Sequence, residues 1–497
     1  MTMRNTPFAL AALAVAALLL TGCSLIPAYE RPAAPVETAF PPAPAIDGAR
    51  ATNTGAAMAT TGGVLPGDLS YEQFFADPRL VRLIGLSFTG NRDMRATVLA
   101  IEQARAQFQI RRADQFPSVG LAANASRAPS QVTGGQVNIF QVGLAVTAWE
   151  LDFFGRLQSL KEQALAAYLA SEEGRRSAQT ALVANVASGW LALQADEELL
   201  DLSRRTVATR EDSVRLTQLR LDNGVSSALD LRQAESLAES ARATLAQAQR
   251  QRALDENALV LLIGQPLPGD IRSSLAGNRL ADAAPFPALQ AGLPSDLLNR
   301  RPDIRQSEQQ LIGANANIGA ARAAFFPRIS LTAQAGSASN ELDGLFKSGS
   351  WGFTLNPSLL LPIFDAGRNR ANLDVARVSR DIAVAQYEKS IQTAFREVAD
   401  ALASEATLAE QLRALQAQAQ AESGRFELSD LRYRNGVSTY LDLLDAQRSL
   451  FSAQQAVVQT RLAQRQNQVL LYKALGGGWT DTAPVTVGAA PTAPVAR

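Results

Sequence analysis

The chain has 497 residues, no histidine and a single cysteine, Cys23. Those counts exclude a histidine general base, the Ser-His-Asp triad, H-E-x-x-H zinc sites, thiolate metal clusters and any internal disulfide. Lys+Arg and Asp+Glu balance at 47 each, which argues against a nucleic-acid-binding surface, and aromatics are only 6% of an Ala- and Leu-rich chain. The chain reads as a non-enzyme without cofactor or metal, and its length suggests about two to four domains.

The N-terminus reads as an address. Arg4 supplies a short basic region, and Phe8–Leu20 is an apolar run of 13 residues, too short to span a bilayer. Residues 1–22 form a signal peptide ending in Leu20-Thr21-Gly22, directly before Cys23. Small residues before a lone cysteine look like the lipobox of a bacterial lipoprotein. That implies cleavage before Cys23 and lipid on its sulfur and its new amino group; several acyl chains on one residue give stable anchoring. Ser24 follows, not the Asp that holds such lipoproteins at the inner membrane, so outer-membrane delivery is expected. Residues 23–75 form an acylated linker, Pro-rich at 27–44. No later stretch reaches 18 apolar residues, so any further membrane crossing must be made by strands.

Residues 91–116 read as a helix closed by Phe116-Pro117. A β-hairpin is expected over 117–150, where Val119, Leu121, Ala123 and Ala125, then Phe140, Val142, Leu144 and Val146, keep period two. Residues 156–222 contain no proline, and 67 helical residues would span roughly 100 Å. Asn223-Gly224 stops that helix, and Ser227-x-x-Asp230 restarts the chain as a capping box for a return helix over 227–263, closing a helical hairpin over 156–264. A Pro-rich connector or girdle follows at 266–294. The same series then recurs: a helix over 303–326 ending at Phe326-Pro327, a hairpin over 327–363 carrying Ile329, Leu331, Ala333 and Ala335, then Trp351, Phe353, Leu355 and Leu359. A helix over 368–434, Asn435-Gly436, Thr439-x-x-Asp442 and a return helix over 439–475 complete it. Residues 480–497 read as a disordered tail.

This recurrence is a duplication. Leu219-Arg220-Leu221-Asp222-Asn223-Gly224-Val225-Ser226 matches Leu431-Arg432-Tyr433-Arg434-Asn435-Gly436-Val437-Ser438 at a shift of 212, as Gly155-Arg156 matches Gly367-Arg368. Asp93-Met94-Arg95 and Phe116-Pro117 recur 210 residues on, at Asp303-Ile304-Arg305 and Phe326-Pro327. The repeats are 76–265 and 295–479. In each, the short helix set end to end with the return helix nearly equals the long one, so two antiparallel helical columns of matched length are expected. Two hairpins give four strands, and an open sheet edge in lipid leaves backbone groups unsatisfied at several kcal/mol each. Closure needs at least eight strands, so copies must share a barrel of 8, 12 or 16; strand count does not choose.

From Tyr71 to Trp479 the chain resembles the outer-membrane factors of tripartite (RND-type) efflux pumps, the OprM/TolC type. The carrying segments are Phe75-Ala76-Asp77-Pro78-Arg79-Leu80, Ala291-Gly292-Leu293-Pro294-Ser295-Asp296-Leu297-Leu298, Arg300-Arg301-Pro302-Asp303-Ile304 and Arg322-Ala323-Ala324-Phe325-Phe326-Pro327. The most specific is Arg432-Tyr433-Arg434-Asn435-Gly436-Val437, continuing through Leu444-Asp445-Ala446-Gln447-Arg448. Tyr71 stands where such proteins commonly have Trp. The resemblance implies an α+β, mostly α fold: a homotrimer with a 12-stranded transmembrane β-barrel continuous with a long periplasmic α-helical barrel. It implies a passive exit duct in the outer membrane for drugs and other small molecules. The implied partners are a periplasmic adaptor, an inner-membrane proton-driven pump and outer-membrane lipid. A type I protein-secretion duct shares this architecture. A coiled-coil lipoprotein would lack spanning hairpins, and the acid pairs Glu172-Glu173 and Glu197-Glu198 read as solvated helix faces rather than an active site.

Two sites follow. The tips Gly224-Val225-Ser226 and Gly436-Val437-Ser438 are expected to dock the adaptor, because turn chemistry accounts for Asn-Gly but does not require valine. Leu441, Asp445 and Arg448, spaced i, i+4, i+7, share one helix face, and the resemblance implies that they line the closed periplasmic tip as a gate. The first repeat has Gln233 and Ser236 at the positions of Asp445 and Arg448, so a charged latch is expected on one hairpin alone.

Overall fold

A computed structural model describes residues 24–41, 69–129, 134–289, 291–292 and 294–479. The signal peptide, Cys23 and the tail from residue 480 lie outside them. The elements run α1 (Tyr71–Phe74), α2 (Pro78–Gly90), α3 (Arg92–Ala113), β1 (Val119–Pro129), β2 (Gln136–Leu151), α4 (Arg156–Asp222) and α5 (Ala228–Ile263). Then come α6 (Gly269–Ser273), α7 (Pro294–Arg300), α8 (Pro302–Ala323), β3 (Arg328–Ser339), β4 (Trp351–Leu360), α9 (Arg368–Arg434) and α10 (Tyr440–Ala474). Both long helices have the 67 residues expected. The helices ahead of the hairpins end at Ala113 and Ala323, three residues before Phe-Pro, as the restriction on the residue preceding proline requires. The chain forms two compact units that cut across the repeats; α3, α4, α8 and α9 each have residues in both.

The first unit (24–34, 99–173 and 305–389 of the described residues) holds one antiparallel sheet in the order β1-β2-β3-β4. The central seam is pinned where Gly143 faces Gly336: a Cβ on Gly143 would lie 2.4 Å from the Ala335 carbonyl oxygen, so only glycine allows this approach. A bulge between Val146 and Trp149 re-aims the lower part of β2. Just below, Glu150 accepts two 2.7 Å hydrogen bonds from Arg156 and pairs with Arg328 at 2.8 Å, tying β2, the start of α4 and β3 together. β1 and β4 are edges, and every residue of β4 is exposed. The segment after Cys23 is strapped along α8. Arg322 donates to the Leu25 carbonyl (3.1 Å), Asn315 to the Pro27 carbonyl (2.8 Å), and Tyr29 and Arg31 bind Glu308.

The second unit (35–41, 69–98, 174–304 and 390–479 of the described residues) holds an aromatic core. Phe74 stacks on Tyr472 at 4.1 Å and on Phe286 at 5.1 Å, and Phe75 packs edge-on to both. Here the expected end-to-end meeting of helices occurs twice. Asn91 caps α3 by accepting from the Met94 amide (2.8 Å) while donating to the Leu262 carbonyl at the end of α5 (2.9 Å). Arg301, ahead of α8, donates to the Ala474 carbonyl at the end of α10 (3.1 Å) and is held by Asp303 and Glu397. Each joint thus satisfies a terminal carbonyl that a helix end otherwise leaves orphaned. The connector is packed rather than loose: Leu267, Ile271, Leu275, Leu280 and Leu289 are all buried.

Candidate functional site at the helical hairpin tips

The two tips are built alike. In the first, Gly224 (φ +72°) donates to the Leu221 carbonyl at 2.8 Å and Val225 to the Arg220 carbonyl at 2.9 Å. In the second, Gly436 (φ +73°) donates to Tyr433 at 3.0 Å and Val437 to Arg432 at 2.9 Å. Both are Schellman closures with glycine in the left-handed position. Ser227 and Thr439 then cap α5 and α10 through reciprocal boxes with Asp230 and Asp442. Ser226 donates to Asp230 at 3.1 Å, whereas the hydroxyl of Ser438 is buried without a hydrogen-bond partner.

A valine at this place in a Schellman motif ordinarily packs back on the helix. Here Val225 and Val437 are 63% and 67% exposed. Leu219 and Leu229 flank the first valine, Leu431 and Leu441 flank the second at the 212-residue shift, and all four are exposed as well. Six apolar side chains at two equivalent tips forgo burial worth roughly 1.5–3 kcal/mol each, the mark of an interaction surface rather than of a core.

The three positions expected to form a gate, Leu441, Asp445 and Arg448, share an exposed face of α10. Asp445 is ion-paired with Arg425 of α9, across the hairpin, and Arg425 also meets Glu422 at 3.2 Å. Arg448 has no carboxylate partner among the described residues, so Asp445 and Arg448 do not form a local surface pair. Arg425 holds its proton more firmly than usual because of its hydrogen bond to Asp445. Arg210, buried under Phe451 at 5.4 Å and donating to the Leu237 carbonyl, has its pKa lowered by burial first and by nearby Arg448 second.

Sequence reasoning missed the core that joins the two tips within one chain. Arg220 donates to the Tyr433 carbonyl at 2.9 Å and lies over its ring at 4.6 Å. Tyr433 and Tyr440 pack at 5.5 Å with Ala234, Leu237, Leu443 and Leu444. Burial pushes the Tyr440 hydroxyl up to about 12. The signal was available in the duplication: Tyr433 and Tyr440 stand where the first repeat has Leu221 and Ala228.

Among the described residues no helix is long and apolar enough to cross a membrane, which says nothing of strands. The family model described as outer membrane efflux protein matches residues 83–265 and 293–477, covering both repeats. The chain belongs to the outer membrane efflux protein family. This outer membrane efflux protein is 46% identical over 478 residues to the toluene efflux pump outer membrane protein TtgC of Pseudomonas putida, covering 95% of this chain and 96% of that protein. It is 44% identical over 488 residues to outer membrane protein OprJ of Pseudomonas aeruginosa, covering 96% and 98%. Among solved structures, the open state of the MtrE outer membrane channel of Neisseria gonorrhoeae aligns with TM-score 0.80 and 40% identity over 92% of this chain and 98% of that one. The chain is an outer-membrane efflux channel protein, and its mixed fold, four strands among long helices, is that of these channels.

Proposed function

We propose that the chain is the lipid-anchored, passive exit duct of a tripartite pump, working as a homotrimer. The observation that carries this is the four-stranded sheet with both edges unpaired. In lipid such edges require closure by further copies, and the resemblance to outer-membrane factors chooses three of them, giving one 12-stranded barrel. The duct needs no chemistry of its own, since an inner-membrane proton-driven pump supplies the work and a periplasmic adaptor spans the gap. The exposed Leu219, Val225, Leu229, Leu431 and Val437 at the tips suit that adaptor. Relatives named for antibiotic, solvent and toluene efflux support small, largely apolar cargo.

Three-fold symmetry would gather Leu441, Asp445 and Arg448 into rings at the periplasmic end. Like charges near a common axis repel by about 1 kcal/mol per pair at high effective dielectric. Arg425 supplies the counter-charge for Asp445 from within the same chain, so the aspartate ring is neutralised while the arginine ring is not. That makes the closed tip easy to release by contacts that splay the helices. Purified protein in a planar bilayer tests the reading: discrete, poorly conducting channels of a three-chain species are expected, and absence of any conductance from a correctly folded trimer would overturn it.

A further inference from the structure

Charge in the second unit is left unbalanced at one place, between α4 and α10. Arg210 is only 5% exposed, and its guanidinium lies over the Phe451 ring at 5.4 Å. Nη1 donates to the Leu237 carbonyl at 3.2 Å. The edge formed by Nε and Nη2 is unused: Nε is buried without a partner, and Nη2 donates to no group among the described residues. Arg448 stands one turn before Phe451, exposed, and has no carboxylate partner among the described residues. Gln447 donates to Ser213 at 3.0 Å, so the contacts of 447 with 213 and of 451 with 210 set α10 against α4 with Arg448 between them. Two arginines thus share one place without an acid. The neighbouring carboxylates are already committed, Glu211 to Arg242 at 2.7 Å, Asp212 to Arg215 and Asp445 to Arg425. Burial first and the charge of Arg448 second lower the pKa of Arg210, and only the Tyr440 hydroxyl opposes them. The other repeat has Glu422 and Ser236 at the positions of Arg210 and Arg448, so the helical hairpin itself demands neither cation.

We propose that Arg210 and Arg448 form a binding site for a small free carboxylate, held by the unused Nε–Nη2 edge of Arg210 and by the charge of Arg448. A buried cation without a counter-charge is costly, because nothing offsets its lost hydration. The Nε–Nη2 edge is planar and presents two parallel N–H donors, which match the two oxygens of a carboxylate; a spherical anion has no second oxygen to match. Arg210 lies roughly 20 Å from Gly224 along the axis of α4. That is well behind the apolar tips, which suit a protein partner, so a solute fits this place better than a side chain of a protein docked at the tips. The bound anion also has a consequence for closure, and here the site rests on the duct reading. Arg448 shares its exposed face with Leu441 and Asp445, and Arg425 compensates Asp445 alone. One carboxylate per copy would neutralise the arginine ring as well, so occupancy steadies the closed tip and release of the anion favours opening.

The test is titration calorimetry of the purified full-length protein with sodium malonate, which offers a carboxylate to each arginine, at pH 7 and constant ionic strength in sodium chloride. One malonate per chain is expected. Its affinity should fall about ten-fold or more in Arg448→Gln, and as much in Arg210→Lys, which keeps the charge and loses the planar fork. Arg448 is exposed, so its replacement leaves the packing of the chain untouched. In a planar bilayer, malonate on the side of the helical tips should lower wild-type conductance several-fold and have no effect on Arg448→Gln, whatever that variant's own level. No malonate binding to the folded wild type would mean that the fork is filled by another group, and would overturn the site. Equal binding in wild type and both variants would overturn it too. Binding that the variants lose, without any effect on conductance, would keep the site and overturn its part in closure. Absence of channels altogether would overturn the duct reading, while the calorimetry still decides the site.

Discussion

Asp445 and Asp196 show how differently one residue type acts in two settings. Asp445 is 61% exposed and its partner Arg425 44%, so their pairing is screened by solvent and adds little to stability. Any larger effect of removing it must therefore appear in gating. Asp445→Ala and Arg425→Ala should each raise single-channel conductance several-fold with melting temperature unchanged, and the double variant should add nothing beyond either single. Equal conductance in wild type and both singles would return these residues to the plain surface. Asp196 is buried on α4, and burial, then the neighbouring Asp255 and Glu197, push its carboxyl up to about 8 against the opposing pull of Arg252. The folded state thus holds a proton that the unfolded chain releases near pH 4, so this group's stabilisation is complete below that value and is lost as pH rises to about 8. Asp196→Asn keeps the shape without the charge. Thermal melts should show the variant near wild type at pH 4 and more stable by several degrees at pH 8; a constant difference across that range would contradict the shift.

Elements explain which parts of this protein could be read from sequence. The bounds of α4 and α9 were legible because proline-free runs, Asn-Gly and capping boxes are local signals that the backbone obeys in place. The helix joints were legible only as a length match. Asn91 in one and Arg301 in the other do the same work with different chemistry, and no local pattern links Arg301 to a carbonyl 173 residues away. Asn91→Ala should cost about 1–2 kcal/mol, since it removes a cap and orphans the Leu262 carbonyl. Arg301→Ala should cost more, about 3–5 kcal/mol, because Asp303 and Glu397 lose a buried counter-charge; calorimetry would rank the two. The candidate site divides in the same way. The turns were predictable, but whether Val225 and Val437 pack or protrude depends on what surrounds the tips, and Arg425 reaches Asp445 from an antiparallel helix that sequence spacing does not reveal. Since the valines protrude, Val225→Asp with Val437→Asp should abolish drug resistance while trimers still form. Gly224 or Gly436 changed to a bulky residue should do the same at an added cost of about 1 kcal/mol per left-handed position. Unchanged resistance in all of these would remove the tips from adaptor docking.

At the scale of the whole molecule, the proposed lipid-anchored duct would combine two attachments to the outer membrane of unequal strength. Twelve strands bury far more apolar surface than the acyl chains on one cysteine, and each buried methylene contributes about 0.8 kcal/mol in either case. The barrel therefore dominates retention. The strap from Leu25 to Arg31, fixed to α8 by Arg322, Asn315 and Glu308, would give a lipid on Cys23 a different use. It sets Leu25 beside the end of α8 that leads into β3, so a monomer tethered through Cys23 would present its hairpins at the bilayer before they have closed with neighbours. Cys23→Ala should then leave assembled trimers in the outer-membrane fraction, resistant to high-salt and carbonate washing, while slowing their appearance severalfold in a pulse-chase. Weakening the strap with Asn315→Ala and Arg322→Ala should slow assembly in the lipidated chain and add nothing once Cys23 is gone. If Cys23→Ala instead left stable, soluble protein in the periplasm, lipid would be the anchor and the four strands could not be forming a barrel in the membrane.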